Sequence, residues 1–462
     1  PNLSSIASAR FLYDAIALDN STQLELRRAK PIRYWGILAR EIRTEFNDSA
    51  QRGKFASRTR CRALQIPKVD RVINSKDQPG QNLNGVMFSS KWLAEDMNLM
   101  RDDLPRLRGA IDRVHQKMGF SEGSPSDWWA IILADGDGMG KYISGEKLKN
   151  YHHYILEDQV DFSIKGQDKE QFNTFRTKTK KRMGPATHIA LNRALLDFSN
   201  RLVPYLAEQR FCGRVIYSGG DDVMVVLPLE DVPGFVRSLQ AAWGGKPDPH
   251  EEFSYETQTW QSKPEFETKG DYWYPTADLP SLQKSRPYFT MGKGATMSMG
   301  IVIAYKGIPL PTVLENLWEA EETAKKMPHK NGLCFRVIYG GGNRLDTTMH
   351  GSLLENWWQL LKQAEPELSP VLYRLAEEVP KRATLSEHDR LVSKAAQVVM
   401  QSRDVQLDCF DAIAAWLDAW EKWAWDNQSG VGTRNEDLES LLRFSAFWTA
   451  QIAQRRSWLT ND

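Results

Sequence analysis

Two β-rich runs that meet at a pair of glycines constrain the fold of this chain more than any other feature. They span Arg214–Pro228 and meet at Gly219 and Gly220. Two β-type runs joined by such a turn predict a β-hairpin. The turn is followed at once by two carboxylates, Asp221 and Asp222. An acidic pair at a hairpin tip is compatible with simple surface charge, so the pair needs a second observation.

A second β-rich run supplies that observation, because it also ends in carboxylates. The run Trp128–Leu133 is followed by Asp135 and Asp137. Carboxylates from two strand ends that lie side by side repel one another unless a cation sits between them. Hard oxygen ligands suit Mg²⁺ or Mn²⁺, whose usual other partner is a nucleotide phosphate. We therefore interpret Asp221, Asp222, Asp135 and Asp137 as candidate metal ligands.

The order of predicted elements between residues 126 and 345 specifies a fold. Strands and helices alternate as β-α-β-β-α-β-α-β, which is a ferredoxin-like βαββαβ unit with one added helix and strand. We expect an α+β domain whose sheet carries helices on one face. In this order the end of the first strand lies beside the hairpin turn. The predicted elements are strand Trp128–Leu133, helix Pro185–Gln209, the hairpin, helix Val232–Trp243, strand Thr296–Ala304, a helix opening at Pro311 and strand Leu333–Tyr339.

The two regions that flank the predicted α+β domain carry weaker structural patterns. Residues 1–125 are mixed, with helices predicted at Ile32–Phe46 and Ser90–Arg113, a polar stretch at 65–85 and a linker at 119–126. Residues 346–462 read as helical only and form a predicted all-α C-terminal domain rich in tryptophan. These tryptophans are interpreted first as a bundle core. A protein interface, where tryptophan is enriched, is the alternative.

The glycine-rich segment after the first strand has two competing interpretations. Counting from Asp135, the spacing partly fits an EF-hand loop, but Met139 occupies a ligand position and a strand precedes the loop. The EF-hand is therefore rejected. The alternative is a tight strand-to-helix turn, Gly136, Gly138, Gly140 and Lys141, whose free N–H groups hold a triphosphate.

Three further motifs each allow a structural and a functional interpretation. Lys325 and Lys326 end the Pro311 helix and are either ordinary C-terminal cations or phosphate ligands. Phe172–Met183 is basic and lacks acids, which fits a solvated loop or a contact to a nucleic-acid backbone. His388 and Asp389 lack the additional ligands of a metal phosphohydrolase, so they are assigned to a helix surface.

Composition excludes several classes of protein. Lys plus Arg (60) nearly cancels Asp plus Glu (59), so contact with nucleic acid must be local. The four scattered cysteines argue against a disulfide framework or a four-thiolate zinc site and predict a cytoplasmic location. No run approaches a membrane span of about 20 apolar residues. No signal peptide is evident, so no membrane partner is expected.

Taken together, these segments resemble the large subunit of type III CRISPR RNA-guided effector complexes, most closely the Cmr (III-B) subtype. The resemblance lies in Ala134–Lys141, Gly213–Leu229, Ala295–Ile303 and Glu319–Lys326. It covers the second palm domain, of the nucleotide cyclase and polymerase type. The resemblance is weaker in the helical C-terminal region. An N-terminal HD nuclease, a first palm and a zinc site are not evident, so DNA cleavage is not predicted and the chain is either a short form or a fragment.

The resemblance implies synthesis of cyclic oligoadenylate from ATP when target RNA binds. In that view Asp135, Asp221 and Asp222 hold two Mg²⁺ or Mn²⁺ ions, with Asp137 a weaker ligand. Lys325 and the Gly136–Lys141 turn hold phosphates, Ser218 lies near the nucleotide, and Gly219 and Gly220 allow a close approach. Implied partners are the small helical subunit, the backbone subunits, guide RNA and target RNA.

Three alternatives stay open from the sequence. One is a catalytically silent palm that serves as a scaffold in the same kind of complex. Another is a palm enzyme that makes cyclic dinucleotides, although Val223 stands where its hallmark hairpin carries Phe. The third is a templated polymerase, for which no primer–template cleft is recognisable.

Overall fold

The computed structural model describes residues 2–18, 30–46, 65–75, 84–120, 123–155, 166–363, 367–385, 389–401 and 410–460. None of the helices in these ranges is long and apolar enough to cross a lipid bilayer. Ten strands lie within them: β1 Trp128–Gly136, β2 Arg214–Gly219, β3 Asp222–Pro228, β4 Glu251–Ser254, β5 Thr259–Ser262, β6 Phe266–Lys269, β7 Tyr272–Pro275, β8 Met297–Tyr305, β9 Gly332–Ile338 and β10 Arg344–His350.

The main sheet has the strand order β10-β9-β8-β1-β3-β2. Its β8-β1-β3-β2 part is the antiparallel ferredoxin-like arrangement predicted from the sequence, and β9 adds parallel to β8. The α+β palm is therefore confirmed. Strand β10 corrects the prediction that the sequence from residue 346 is helical only. Its alternating run Arg344–His350 pairs antiparallel with β9 at the edge of the sheet.

The helices of the palm follow the predicted order. The long helix begins at Pro185 as expected, but it changes winding at two π-helical segments, Phe198–Leu202 and Leu206–Arg210. The helix Leu310–Lys325 buries Val313, Leu317, Ala320 and Ala324, the apolar positions at helical spacing. The other helices of this part are Met139–Ile143, Gln167–Lys178, Val203–Tyr205 and Val232–Gly244.

Both faces of the sheet are covered, which corrects the prediction that helices occupy one face. Along β1, Ala130 and Ile132 pack into one core with the long helix, whereas Trp129 and Ile131 pack into a second core. That second core contains the helix 310–325 and the N-terminal helices. A strand buried on both faces is apolar throughout, which is why β1 reads as a continuous apolar run.

The N-terminal region forms the outer layer of the second core. Its helices are Leu3–Ala17, Lys30–Glu45, Pro67–Ser75, Ser90–Met97 and Leu104–Lys117. The helix predicted for Ser90–Arg113 is two helices, because Asn98 adopts a left-handed conformation (φ 54°) and ends the first one. The stretch predicted as polar and irregular contains the helix Pro67–Ser75, which begins at a proline.

The C-terminal region packs directly onto the palm. Its helices are Leu354–Leu361, Leu368–Arg382, Leu391–Gln401, Phe410–Asp426 and Asn435–Thr460. Trp357, Trp416 and Trp420 are buried in the same core as β8 and β9. The core interpretation of these tryptophans is confirmed for the described residues. The division of the chain at residues 125 and 345 stays a prediction.

Arg455 joins the first, middle and last parts of the chain. Its buried guanidinium forms an ion pair with Glu230 (2.6 Å) and donates hydrogen bonds to the carbonyl oxygens of Ala7 and Trp128. Burial raises the pKa of Glu230, while the Arg455 cation opposes that shift. The helix 435–460 is thereby fixed to the N-terminal helix and to the start of β1.

The polar insertion between residues 245 and 295 contains structure that the sequence did not reveal. Strands β4 and β5 form one small antiparallel sheet, and β6 and β7 form another. Each strand has four residues, so its alternation is too short to distinguish from a loop.

Candidate metal and nucleotide site

The register of the sheet brings the two acidic strand ends together. Ala134 on β1 pairs with Val223 on β3, so Asp135 and Asp222 follow at opposing positions. The carboxyl groups of Asp135, Asp221 and Asp222 lie close enough to influence one another's charge. Like charges directly opposite one another destabilise a pair of strands. The structure thus confirms the proximity of these residues that the strand order predicts.

The proton affinity of this cluster reflects that crowding. Partial burial, the hydrogen bond to Asp135 and the charges of Asp135 and Asp221 raise the pKa of Asp222 to about 6. Partial burial raises the pKa of Asp221, and the charge of Asp135 adds to the shift. Both carboxylates are therefore held in a setting where added positive charge is stabilising.

Lys325 supplies part of that charge. Its Nζ atom lies 3.0 Å from Oδ2 of Asp135 and also forms an ion pair with Glu321, one turn earlier on the same helix. Partial burial disfavours the ammonium, but the hydrogen bonds to Glu321 and Asp135 outweigh it and raise the pKa of Lys325. The helix 310–325 thus delivers a permanent cation to the edge of the carboxylate cluster.

Asp137, the fourth candidate ligand, has other partners. Its Oδ2 accepts hydrogen bonds from the Thr296 hydroxyl (2.8 Å) and the Asn331 amide (2.9 Å), and its Oδ1 accepts one from the Ser298 hydroxyl (2.7 Å). The amide of Asp137 also donates to the Thr296 carbonyl oxygen. These bonds attach the end of β1 to the starts of β8 and β9, so Asp137 has a structural role.

The glycines after β1 differ in what they permit. At Gly136 a Cβ atom would lie 2.6 Å from Cζ2 of Trp243 and 2.9 Å from Cβ of Asp221. Only glycine lets the strand pass between these two side chains. Gly138 has a φ of 72° and begins the short helix Met139–Ile143, and nothing lies within 4 Å of a Cβ at Gly138 or Gly140. Lys141 is exposed on that helix.

The hairpin turn is also shaped by its glycines. Gly220 has a φ of 66°, a left-handed conformation that favours glycine, and open space surrounds it. At Gly219 a Cβ would meet the Tyr217 ring. The Ser218 hydroxyl donates to the carbonyl oxygen of Ser199 (2.9 Å), which ties β2 to the first π-helical segment.

Two residues near the cluster were not found from the sequence. Trp243 ends a predicted helix, but only the fold shows that its ring packs against Gly136. Its buried Nε1 has no hydrogen-bond partner among the described residues. Asn331 is the second such residue, and its amide donates to Asp137. Three consecutive residues, His329, Lys330 and Asn331, have positive φ values, and no pattern predicts that run.

The donor set suits a hard divalent cation. Asp135, Asp221 and Asp222 offer carboxylate oxygens only. These carboxylates repel one another, so a bound cation would stabilise them. Within the described ranges no three acidic, histidine or cysteine side chains already surround a common point as ligands would. The Lys325 ammonium lies against one side of the Asp135 carboxylate.

A ferredoxin-like sheet with carboxylates at the end of β1 and at the β2–β3 turn defines a palm domain of the nucleotide cyclase and polymerase type. Residues 128–258 match the family model of the second palm domain of Cas10/Cmr2. The chain is 34% identical over 162 residues to the CRISPR system Cmr subunit Cmr2 of Pyrococcus furiosus. That match covers 34% of this chain and 17% of the Pyrococcus protein.

Two solved structures show the extent of the likeness. The apo type III-B Cmr-beta structure aligns with a TM-score of 0.50 and 14% identity, covering 93% of this chain and 47% of the other. The Cmr-beta structure bound to cognate target RNA gives a TM-score of 0.45 and 13% identity, covering 70% and 41%. The chain therefore spans about half of the apo structure's matched chain. The resemblance to a Cmr2-like large subunit is confirmed.

Proposed function

We propose that this chain polymerises ATP into cyclic oligoadenylate as part of a type III CRISPR effector complex. The observation that carries the proposal is the convergence of Asp135, Asp221 and Asp222 with Lys325 at the end of β1. Carboxylates beside a fixed lysine form a setting that can bind metal ions and nucleotide phosphates together. The match to a second palm domain supports the same chemistry.

Each residue at the site has a role in this proposal. Asp135, Asp221 and Asp222 would hold two divalent cations. When bound, such ions lower the pKa of a 3′-hydroxyl and stabilise charge on the α-phosphate and departing pyrophosphate. Lys325 would turn from Asp135 towards the phosphates. Gly136 and the hairpin glycines keep the backbone close to the nucleotide, which favours positioning over proton transfer by a histidine.

The remaining sequence candidates receive narrower roles. Gly138, Gly140 and Lys141 border open space after β1 and would contact the outer phosphates. Ser218 is engaged by Ser199, so it would position the hairpin and not the nucleotide. Asp137 would hold the strand ends and leave metal binding to the other three carboxylates.

The proposed partners follow from the relatives. The neighbouring Cmr-beta structure is described as bound to cognate target RNA. We propose that this chain likewise works with small and backbone subunits, guide RNA and target RNA, and that RNA binding controls the palm.

One observation favours a second candidate, a catalytically silent scaffold. The Lys325–Asp135 ion pair neutralises a carboxylate that a metal ion would require. A palm that keeps this pair permanently would hold its shape without metal. In that case the chain would contribute only contacts to the complex.

The decisive experiment uses the assembled complex with ATP, Mn²⁺ and cognate target RNA, followed by mass spectrometry of the products. Cyclic oligoadenylate is expected from the natural chain and is expected to disappear in the Asp221→Ala/Asp222→Ala variant. A control variant, Glu256→Ala/Glu267→Ala, removes two exposed carboxylates elsewhere and should behave as the natural chain. No product from the natural chain supports the scaffold, whereas unchanged product from the double aspartate variant refutes the metal assignment.

A further inference from the structure

The insertion that follows β1 folds back on itself. It starts at the turn Gly138–Lys141 and includes the described residues up to Met183. Asn150 and Lys180 form a β-bridge, and the amide of Lys181 donates to the carbonyl oxygen of Lys149 (2.9 Å). The rings of Tyr151 and Phe175 stack with centroids 5.0 Å apart. These contacts join the two halves of the insertion into one surface.

That surface is rich in exposed lysine and arginine side chains, and we call it the basic face. Among the described residues of the insertion, the acids Glu146, Asp168 and Glu170 are outnumbered by lysines and arginines. Only weak or local bonds occupy the cations, such as that from Lys180 Nζ to the Glu146 carbonyl oxygen (3.5 Å). The exposed cations of the basic face are Lys141, Lys147, Lys149, Lys169, Lys178, Lys180 and Arg182.

Aromatic rings are exposed within the basic face. Tyr154 is 43% exposed and Phe175 is 47% exposed. The Lys181 ammonium lies 4.4 Å from the centre of the Tyr154 ring. Exposed rings interleaved with cations are the combination that binds unpaired bases and their phosphates.

The helix Gln167–Lys178 has no buried residue. An isolated helix of 12 residues is marginal in water, since most helical stability in proteins comes from packing an apolar face. Its acidic first turn and basic last turn support it locally, but they do not supply a core. Because none of its residues is buried, the helix leaves its side chains accessible to a binding partner.

We propose that the basic face binds single-stranded RNA, with the phosphates on the lysines and unpaired bases stacked on Phe175 and Tyr154. Stacking selects a single strand over a duplex, whose bases are not accessible to the rings. The choice of RNA over DNA rests on the proposed function in an RNA-guided complex. The insertion begins at the turn after Asp135, so the proposed RNA site and the carboxylate cluster are joined by the Gly138–Lys141 turn.

The test measures binding of a fluorescein-labelled 20-nucleotide RNA of mixed sequence to the full chain by fluorescence anisotropy, in EDTA and without ATP. The variant Lys147→Ala/Lys178→Ala/Lys180→Ala should bind at least tenfold more weakly at low salt. Its plot of log affinity against log salt should be less steep by about 2, since each lost phosphate contact on a single strand contributes about 0.7 to the slope. Phe175→Leu, which keeps apolar packing on Tyr151, should weaken binding by about fivefold or more.

Matched controls make the result specific. Lys263→Ala/Lys269→Ala/Lys394→Ala removes equal charge from exposed positions elsewhere and should bind as the natural chain. Asp221→Ala/Asp222→Ala should also bind normally, so failure of RNA binding is separable from failure of ATP polymerisation. An unchanged affinity and salt slope in the Lys147 variant, or an equal loss in the control, overturns the proposal. Equal binding of duplex RNA overturns the stacking, and tighter binding of a DNA strand overturns the choice of RNA.

Discussion

The Nζ atom of Lys325 lies 3.0 Å from Oδ2 of Asp135, and the two residues come from elements far apart in the sequence. The helix 310–325 ends where β1 ends, so its last residues reach the carboxylate cluster. The same lysine also pairs with Glu321. If Lys325 moves away from Asp135, it can keep its ion pair with Glu321. This arrangement suits a lysine that contacts Asp135 in the free protein and a phosphate when nucleotide is bound.

Replacing Lys325 by Met tests that exchange. If the ammonium stabilises phosphate charge during bond formation, cyclic product should fall by about 10²- to 10³-fold, the effect of removing one such group. The measurement is the initial rate of product formation in the assembled complex at saturating ATP. Lys326→Met is the matched control, because Lys326 pairs with Glu322 at the surface. Equal loss in both variants would contradict a specific role for Lys325.

Replacing Asp222 by Asn should make thermal stability less dependent on pH. The pKa of Asp222 is raised to about 6, so the natural chain is stabilised by the protonated form at low pH. That stability is lost as the pH rises through about 6. The melting temperature of the variant should therefore exceed that of the natural chain at pH 8, and the two should converge below pH 4. A variant that melts lower at pH 8 would show that Asp222 is not held in a repulsive cluster.

Gly136→Ala should destabilise the fold next to the site. Its Cβ would lie within 3 Å of Trp243 and Asp221, and overpacking of this kind costs about 1–3 kcal/mol. The free energy of unfolding from urea denaturation provides the measurement. Gly140→Ala is the comparison, since nothing lies within 4 Å of its Cβ. Equal stability of the two variants would mean that the strand does not pass tightly between those side chains.

Replacing Asp137 by Asn should show whether the Asp137 carboxylate stabilises the fold or binds a metal ion. The amide can replace only one of the two accepting oxygens, so bonds from the Asn331 amide or the hydroxyls are lost. A loss of about 2 kcal/mol in unfolding free energy is expected, since bonds to charged groups contribute about 1.5–3 kcal/mol. Binding of Mn²⁺, followed by calorimetry, should change little. A large loss of Mn²⁺ affinity without a loss of stability would return Asp137 to the set of metal ligands.

The parts of the site predicted correctly from the sequence depend on local pattern. The hairpin, β1 and the helix 310–325 carry their own glycines, apolar alternation and helical spacing, and their order determines that Asp135 meets Asp222. The partners of Asp137 could not be predicted, because Thr296, Ser298 and Asn331 reach it only through strand pairing.

The errors in the fold have similar causes. The helix from residue 90 was extended past Asn98 because a polar residue in a left-handed conformation leaves no clear signal in the sequence. Strand β10 was missed since Arg344–His350 is a polar edge strand that pairs only with β9. Coverage of the second sheet face depends on helices from the N-terminal region, whose apolar positions do not reveal what they pack against.

The bonds made by Arg455 have a practical consequence for dissecting this protein into pieces. A palm excised at residue 345 would lose the guanidinium and leave Glu230 buried without its counter-ion, which costs several kcal/mol. It would also uncover the tryptophan-lined side of β9. Activity or binding measured on such a fragment would report a damaged sheet, whereas point substitutions in the intact chain test the palm itself.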